Sequence, residues 1–168
     1  MHRYVVIDAF ASEPLQGNPV AVFFDCDDLS GERMQRMARE MNLSESTFVL
    51  RPQQDGDARI RIFTPVNELP FAGHPTLGSC HAWLAAGGQP RQPGVVVQEC
   101  GVGLVRVKQD GARLAANDDG LGGSARQAAQ PQLAAMGQAL RDLHVERAPP
   151  GDRNTDCAPS GSQERRRP

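Results

Sequence analysis

Two short stretches hold residue types that can move protons. One is Asn42-Leu43-Ser44-Glu45-Ser46-Thr47, and the other is Glu68-Leu69-Pro70-Phe71-Ala72-Gly73-His74-Pro75. A Glu and a His on loops beside helix ends suit general acid–base chemistry, so Glu45 and His74 are the candidate catalytic pair. Gly73 lets a ligand approach its backbone, and a helix opening near Pro75 offers backbone N–H groups to a carboxylate. Each residue also has a plainer reading. A surface Glu is commonly only solvated, and a His before a helix proline commonly caps or packs. Glu68 reads as a loop-bracing carboxylate, and Asn18 in Gly17-Asn18-Pro19 as a turn residue.

Other chemistries lack their residues. Cys26, Cys80, Cys100 and Cys157 form no C-x-x-C pair. That spacing argues against zinc and for free thiols in a reducing compartment. Gly101-x-Gly103 is too short for a dinucleotide fingerprint and opens no helix. No cofactor or metal is expected.

The elements that must position these residues follow from patterning. Tyr4–Phe10 and Val20–Phe24 read as strands, joined by a loop rich in Pro, Gly and Asn. Ser30 suits the N-cap of a helix over Gly31–Met41, whose Met34, Met37, Ala38 and Met41 predict one buried face. Ser46–Leu50 and Ala58–Phe63 read as strands around a turn at Gly56. Thr64–Gly73 reads as a loop. A second helix begins near Pro75, its apolar face made by Leu77, Cys80, Leu84 and Ala85, and ends at Gly87-Gly88. Gly94–Gln98, Val102–Val107 and Arg113–Ala115 complete the strands. The order ββαββαβββ and its short turns predict an α+β class, with a curled, mostly antiparallel sheet around a central helix.

Composition divides the chain. Of 168 residues, every aromatic lies between Tyr4 and Trp83. Residues 117–168 hold four Leu and one Val, with no Ile or Phe. That is well below what a packed core requires. Residues 1–116 are therefore expected to form the folded lobe, and 117–168 a weakly ordered tail with a weak helical pattern at Ala128–Leu143. The net charge is −2. No basic excess points to nucleic acid or a membrane surface, and no apolar run is long enough to span a bilayer. The short apolar N-terminus is no signal peptide, so the expected compartment is the cytoplasm.

Three segments carry a family resemblance: YVVIDAFASEPLQGNPVAVFFD at Tyr4–Asp25, MAREMNLSESTFVL at Met37–Leu50, and IRIFTPVNELPFAGHPTLG at Ile60–Gly78. Gly-Asn-Pro, a Ser-Glu-Ser loop and Ala-Gly-His-Pro-Thr-Leu-Gly stand in order. The chain thereby resembles the PhzF family of phenazine-biosynthesis isomerases. A weaker likeness continues through Gln98–Ala116.

The resemblance implies one lobe of a diaminopimelate-epimerase-like fold. It implies a homodimeric, cofactor-independent isomerase of a small cyclic amino-acid-like substrate, trans-2,3-dihydro-3-hydroxyanthranilate. Glu45 would be the proton shuttle, which calls for its partial burial. His74 would touch the substrate or share the acid–base network. Gly73 would help hold the substrate carboxylate, and Ser44 and Asn18 would bind neighbouring groups.

The family also has a second lobe that supplies an acidic residue and a Gly-Ser-Ala segment. Gly122-Gly123-Ser124-Ala125 resembles that segment by composition alone. The change near Ala116 is expected to mark truncation of the family pattern by an out-of-frame tail. Two other readings stand beside the isomerase. One is an inactive or non-enzymatic lobe that associates with an intact homologue. The other is a related epimerase or racemase, which would need a thiol where His74 follows Gly73.

Overall fold

A computed structural model describes residues 2–11, 15–111 and 113–116. The tail at 117–168, its expected helix and Cys157 lie outside the described residues. Among those described, the strands are β1 (Tyr4–Ala9), β2 (Asn18–Phe23), β3 (Glu45–Leu50), β4 (Ala58–Phe63), β5 (Glu68–Leu69), β6 (Val95–Cys100), β7 (Gly103–Asp110) and β8 (Arg113–Ala116). Two helices accompany them, α1 (Gly31–Met41) and α2 (Gly73–Ala85). The strands form one sheet in the order β1-β2-β3-β4-β6-β7-β8, with β5 paired to β4. The sheet is mostly antiparallel, as expected, but β2–β3 and β4–β6 are parallel. The first parallel join is possible because α1 provides the crossover between its strands.

Strand alternation sends side chains to two faces. Val20, Val22, Val49, Ile60 and Ile62 form one core layer with Ala82 of α2. Ala21, Phe23, Phe48 and Phe63 form another with Met34 and Ala38 of α1. The Met stripe of α1 therefore does what its spacing predicts. Ser30 caps α1 by accepting the Arg33 N–H at 3.3 Å.

The second helix departs from expectation. It begins at Gly73, two residues before Pro75, so His74 stands in its first turn rather than on a loop. It also has no single apolar face. Gly73 through Cys80 are all buried, as is Ala82, because the curled sheet wraps the helix. Small residues make that possible. A Cβ on Gly78 would meet Val20 Cγ1 at 2.6 Å. The buried hydroxyls of α2 find partners: Ser79 Oγ donates to Thr47 Oγ1 at 2.8 Å, and Thr76 Oγ1 donates to the Ala72 carbonyl at 2.8 Å. The expected loop at Thr64–Gly73 contains the short β5, which Glu68 helps fix by a two-point ion pair with Arg61 at 2.7 Å.

Candidate active site

The same alternation builds the site. In β2, Asn18 falls on the face of Val20 and Val22; in β3, Glu45 falls on the face of Thr47 and Val49. Those faces look toward α2. The parallel register sets Val20 beside Glu45, so Asn18 and Glu45 meet at one end of the two strands. One helical turn separates His74 from Gly78, which packs on Val20. His74 is thereby laid over the same end.

Two backbone turns are needed to get there. Asn42 takes a left-handed conformation (φ 51°) to end α1 and send the chain into β3. Gly17 donates its N–H to Asp8 Oδ2 at 3.2 Å, and a Cβ there would lie 2.4 Å from the Ala9 carbonyl oxygen. Only glycine fits so close an approach.

The result is a chain of four side chains. Ser44 Oγ donates to Asn18 Oδ1 at 3.0 Å. Asn18 Nδ2 lies 3.2 Å from His74 Nδ1. His74 Nε2 faces Glu45 Oε2 at 3.2 Å. The His74 side chain is 9 % exposed and that of Glu45 is 17 % exposed, which is the partial burial a shuttle calls for. The two facing atoms are buried and have no partner besides each other. Burial holds His74 below the ordinary histidine pKa, against the opposing pull of Glu45. A neutral imidazole beside a carboxylate, part of which remains open, can exchange a proton with a bound molecule.

The structure brings Asn18, Ser44, Glu45 and His74 into this one network, and Gly73 sits beside His74 at the start of α2. Ala72, its N-cap residue, is extended and makes no side-chain capping bond. Sequence reasoning missed Phe10, whose ring centroid lies 6.3 Å from that of His74. Its signal was slight: an aromatic closing a strand, here with φ 64°.

Among the described residues no group of three or more His, Cys, Asp or Glu gathers as a metal site, and no helix is long and apolar enough to cross a membrane. Cys26, Cys80 and Cys100 are free thiols. Burial pushes each of them up to about 12, so none is a thiolate at neutral pH. A groove of about 510 Å³ lies at the opposite end of α2, lined by Arg3, Asp25, Arg51, Trp83 and Gly88 among others, and holds none of the expected site residues.

Residues 7–142 match the model of the PhzC-PhzF family, described as phenazine biosynthesis-like protein. The match runs past Ala116. The chain is 95% identical over 82 residues to a trans-2,3-dihydro-3-hydroxyanthranilate isomerase of Pseudomonas aeruginosa, covering 49% of this chain and 30% of that protein. Among solved structures, it resembles a PhzF-family protein of Bacillus anthracis with TM-score 0.59 and 32% identity, over 64% of this chain and 36% of the other. It also resembles a predicted epimerase of Pseudomonas aeruginosa with TM-score 0.57 and 37% identity, over 69% and 42%. The chain thus spans about a third of the length of the isomerase relatives it matches.

Proposed function

This chain belongs to the phenazine biosynthesis-like family, and from that premise we propose that its site serves a cofactor-independent isomerase of trans-2,3-dihydro-3-hydroxyanthranilate. The observation that carries the reading is the buried approach of His74 Nε2 to Glu45 Oε2 at 3.2 Å. Glu45, as carboxylate, takes a proton from one ring carbon of the substrate and returns it to another. The same group is base and then acid, so no proton is lost or gained overall. His74 stands 3.2 Å from one carboxylate oxygen, and the other is left for chemistry. The uncapped start of α2 at Gly73 receives the substrate carboxylate through backbone N–H groups and the positive end of the helix dipole.

The cysteine-dependent epimerase reading lacks support, because the described thiols are all pushed up to about 12 and none belongs to the Ser44–Asn18–His74–Glu45 network. A second reading is a lobe that associates with an intact homologue; the site network of Ser44, Asn18, His74 and Glu45 lies on a single sheet and its helix.

The assay offers trans-2,3-dihydro-3-hydroxyanthranilate to the purified 168-residue chain and follows substrate absorbance. Turnover should fall by about 10²- to 10⁴-fold in Glu45→Gln, the range for loss of a general acid–base group. Undiminished turnover in that variant overturns the role given to Glu45, and a folded chain with no turnover alone or on mixing with an intact homologue overturns the isomerase reading. A folded but silent chain that gains activity on mixing with an intact homologue, and loses the gain in Glu45→Gln, selects the second reading.

A further inference from the structure

We infer that Asn18 and Ser44 are positioning residues: they lock His74 in the tautomer that carries its proton on Nε2, so that Glu45 has no proton acceptor among the described residues and returns its proton to the substrate. This deepens the proposed function, and it recasts two residues expected to bind substrate.

The inference follows along the hydrogen bonds. Ser44 Oγ reaches Asn18 Oδ1 at 3.0 Å. With its oxygen engaged there, the Asn18 amide presents its NH₂ end to His74 Nδ1 at 3.2 Å. An amide nitrogen is a donor and has no lone pair to accept with, so Nδ1 must be the unprotonated nitrogen. A neutral imidazole has one N–H, and it must then be on Nε2, the nitrogen that lies 3.2 Å from Glu45 Oε2. Burial favours the neutral form, so both nitrogens are assigned at neutral pH.

The consequence concerns the direction of proton flow. A histidine beside a catalytic carboxylate could act as a relay, drawing a proton off Glu45 and passing it on. With Nε2 already protonated, His74 has no lone pair facing Glu45. The proton that Glu45 takes from a ring carbon stays on its carboxyl group until a second ring carbon accepts it. That retention is what an isomerisation requires, because a proton lost to a relay exchanges with solvent.

The test reads the imidazole directly. Long-range ¹H–¹⁵N correlation spectra of the uniformly labelled 168-residue chain, with His74 assigned by a His74→Gln variant, should show a pyridine-type Nδ1 and a pyrrole-type Nε2. A protonated Nδ1 in the parent chain overturns the inference. In Asn18→Asp, a carboxylate replaces the donor and accepts from Nδ1–H. The tautomer should reverse, and the His74 titration midpoint should rise by about 1–3 pH units. An unchanged tautomer in Asn18→Asp also overturns the inference. Ser44→Ala frees the amide to turn over, and should give both tautomers in one sample.

Where turnover is measurable, Asn18→Asp should lower kcat by about 10²-fold or more with little change in KM, as wrong-tautomer variants of other acid–base pairs do. Product formed in deuterated solvent should carry more deuterium than product from the parent chain. The spectra need no turnover. A silent parent chain with the expected tautomer therefore counts against the isomerase reading alone.

Discussion

Glu45 and Glu99 are two largely buried carboxylates treated in opposite ways by the same sheet. Glu99, at the C-terminal part of β6, accepts the Gln53 N–H at 2.7 Å, the Gln54 N–H at 2.6 Å and the Gly56 N–H at 3.1 Å. Its two oxygens close the β3–β4 turn against β6. Burial alone would raise its pKa, but the three N–H groups and the nearby Arg59 outweigh it and hold the carboxyl below the ordinary Glu value. Neighbouring Asp57 ties the same region, accepting from Arg91 N–H at 2.9 Å and Val97 N–H at 2.7 Å. Glu45 receives no such cradle: its buried oxygen meets only His74 Nε2. A carboxylate whose acceptor sites are filled by backbone has nothing left for a substrate. One left partly unfilled keeps a lone pair for chemistry, at a cost in stability that the rest of the fold must bear.

That contrast makes the first prediction a double one. The Glu45→Gln variant should lose about 10²- to 10⁴-fold in turnover while changing unfolding free energy by less than about 1 kcal/mol, because no backbone group depends on it. Urea denaturation beside the activity assay reads both. A loss of several kcal/mol in stability would place Glu45 with Glu99 as a structural group and erase the distinction.

Glu99→Gln should do the reverse. An amide NH₂ would face a backbone N–H where the carboxylate accepted one, leaving a buried donor unpaired. The expected cost is about 3 kcal/mol at pH 7, in the range for hydrogen bonds to a charged group. The pH dependence has a definite sign. The folded carboxyl is held below its unfolded value, so its stabilisation is complete above the ordinary Glu range and fades as pH falls through the lowered folded value. Parent and variant should therefore differ most near neutrality and converge in acid. Urea midpoints from pH 7 down to pH 3 check this, and a gap that widens on acidification would refute the clamp.

Legibility in the sequence differed between the two groups for a physical reason. Glu45 and His74 are polar side chains at the junctions of helices and strands, at the start of β3 and of α2, and a motif resemblance named them. Helix α1 and strand β4 were readable to the residue, because Ser30 caps one and Arg59 and Arg61 alternate with Ile60 and Ile62 in the other. Glu99 left no trace. A single charge in the run Val95-Val96-Val97-Gln98-Glu99-Cys100 reads as the polar face of a strand, and its partners are backbone groups more than 40 residues away. The burial of α2 on all sides was equally invisible, since a wrapped helix of small residues has no periodic face to detect. The Asn18–His74 contact likewise spans 56 residues and exists only through the packing of α2 on β2, where Gly78 meets Val20.

Gly56 offers the smallest and sharpest test of the comparison. A Cβ there would meet Glu99 Cγ at 2.5 Å and Glu99 Oε1 at 3.0 Å. Gly56→Ala must therefore push the carboxylate out of its cradle without removing any hydrogen-bonding group. The expected cost is about 1–2 kcal/mol, within the range for overpacking a tight site. Because the two residues touch, the effects should not add: on a Glu99→Gln background, where the cradle is already broken, Gly56→Ala should cost less than it does alone. Chemical denaturation of the two single variants and the double variant measures that coupling. Strict additivity would mean that the glycine serves the turn for its own sake. The site at Glu45 should be indifferent, and the His74 imidazole spectrum of Gly56→Ala should match that of the parent, because nothing in the cradle reaches the far end of α2.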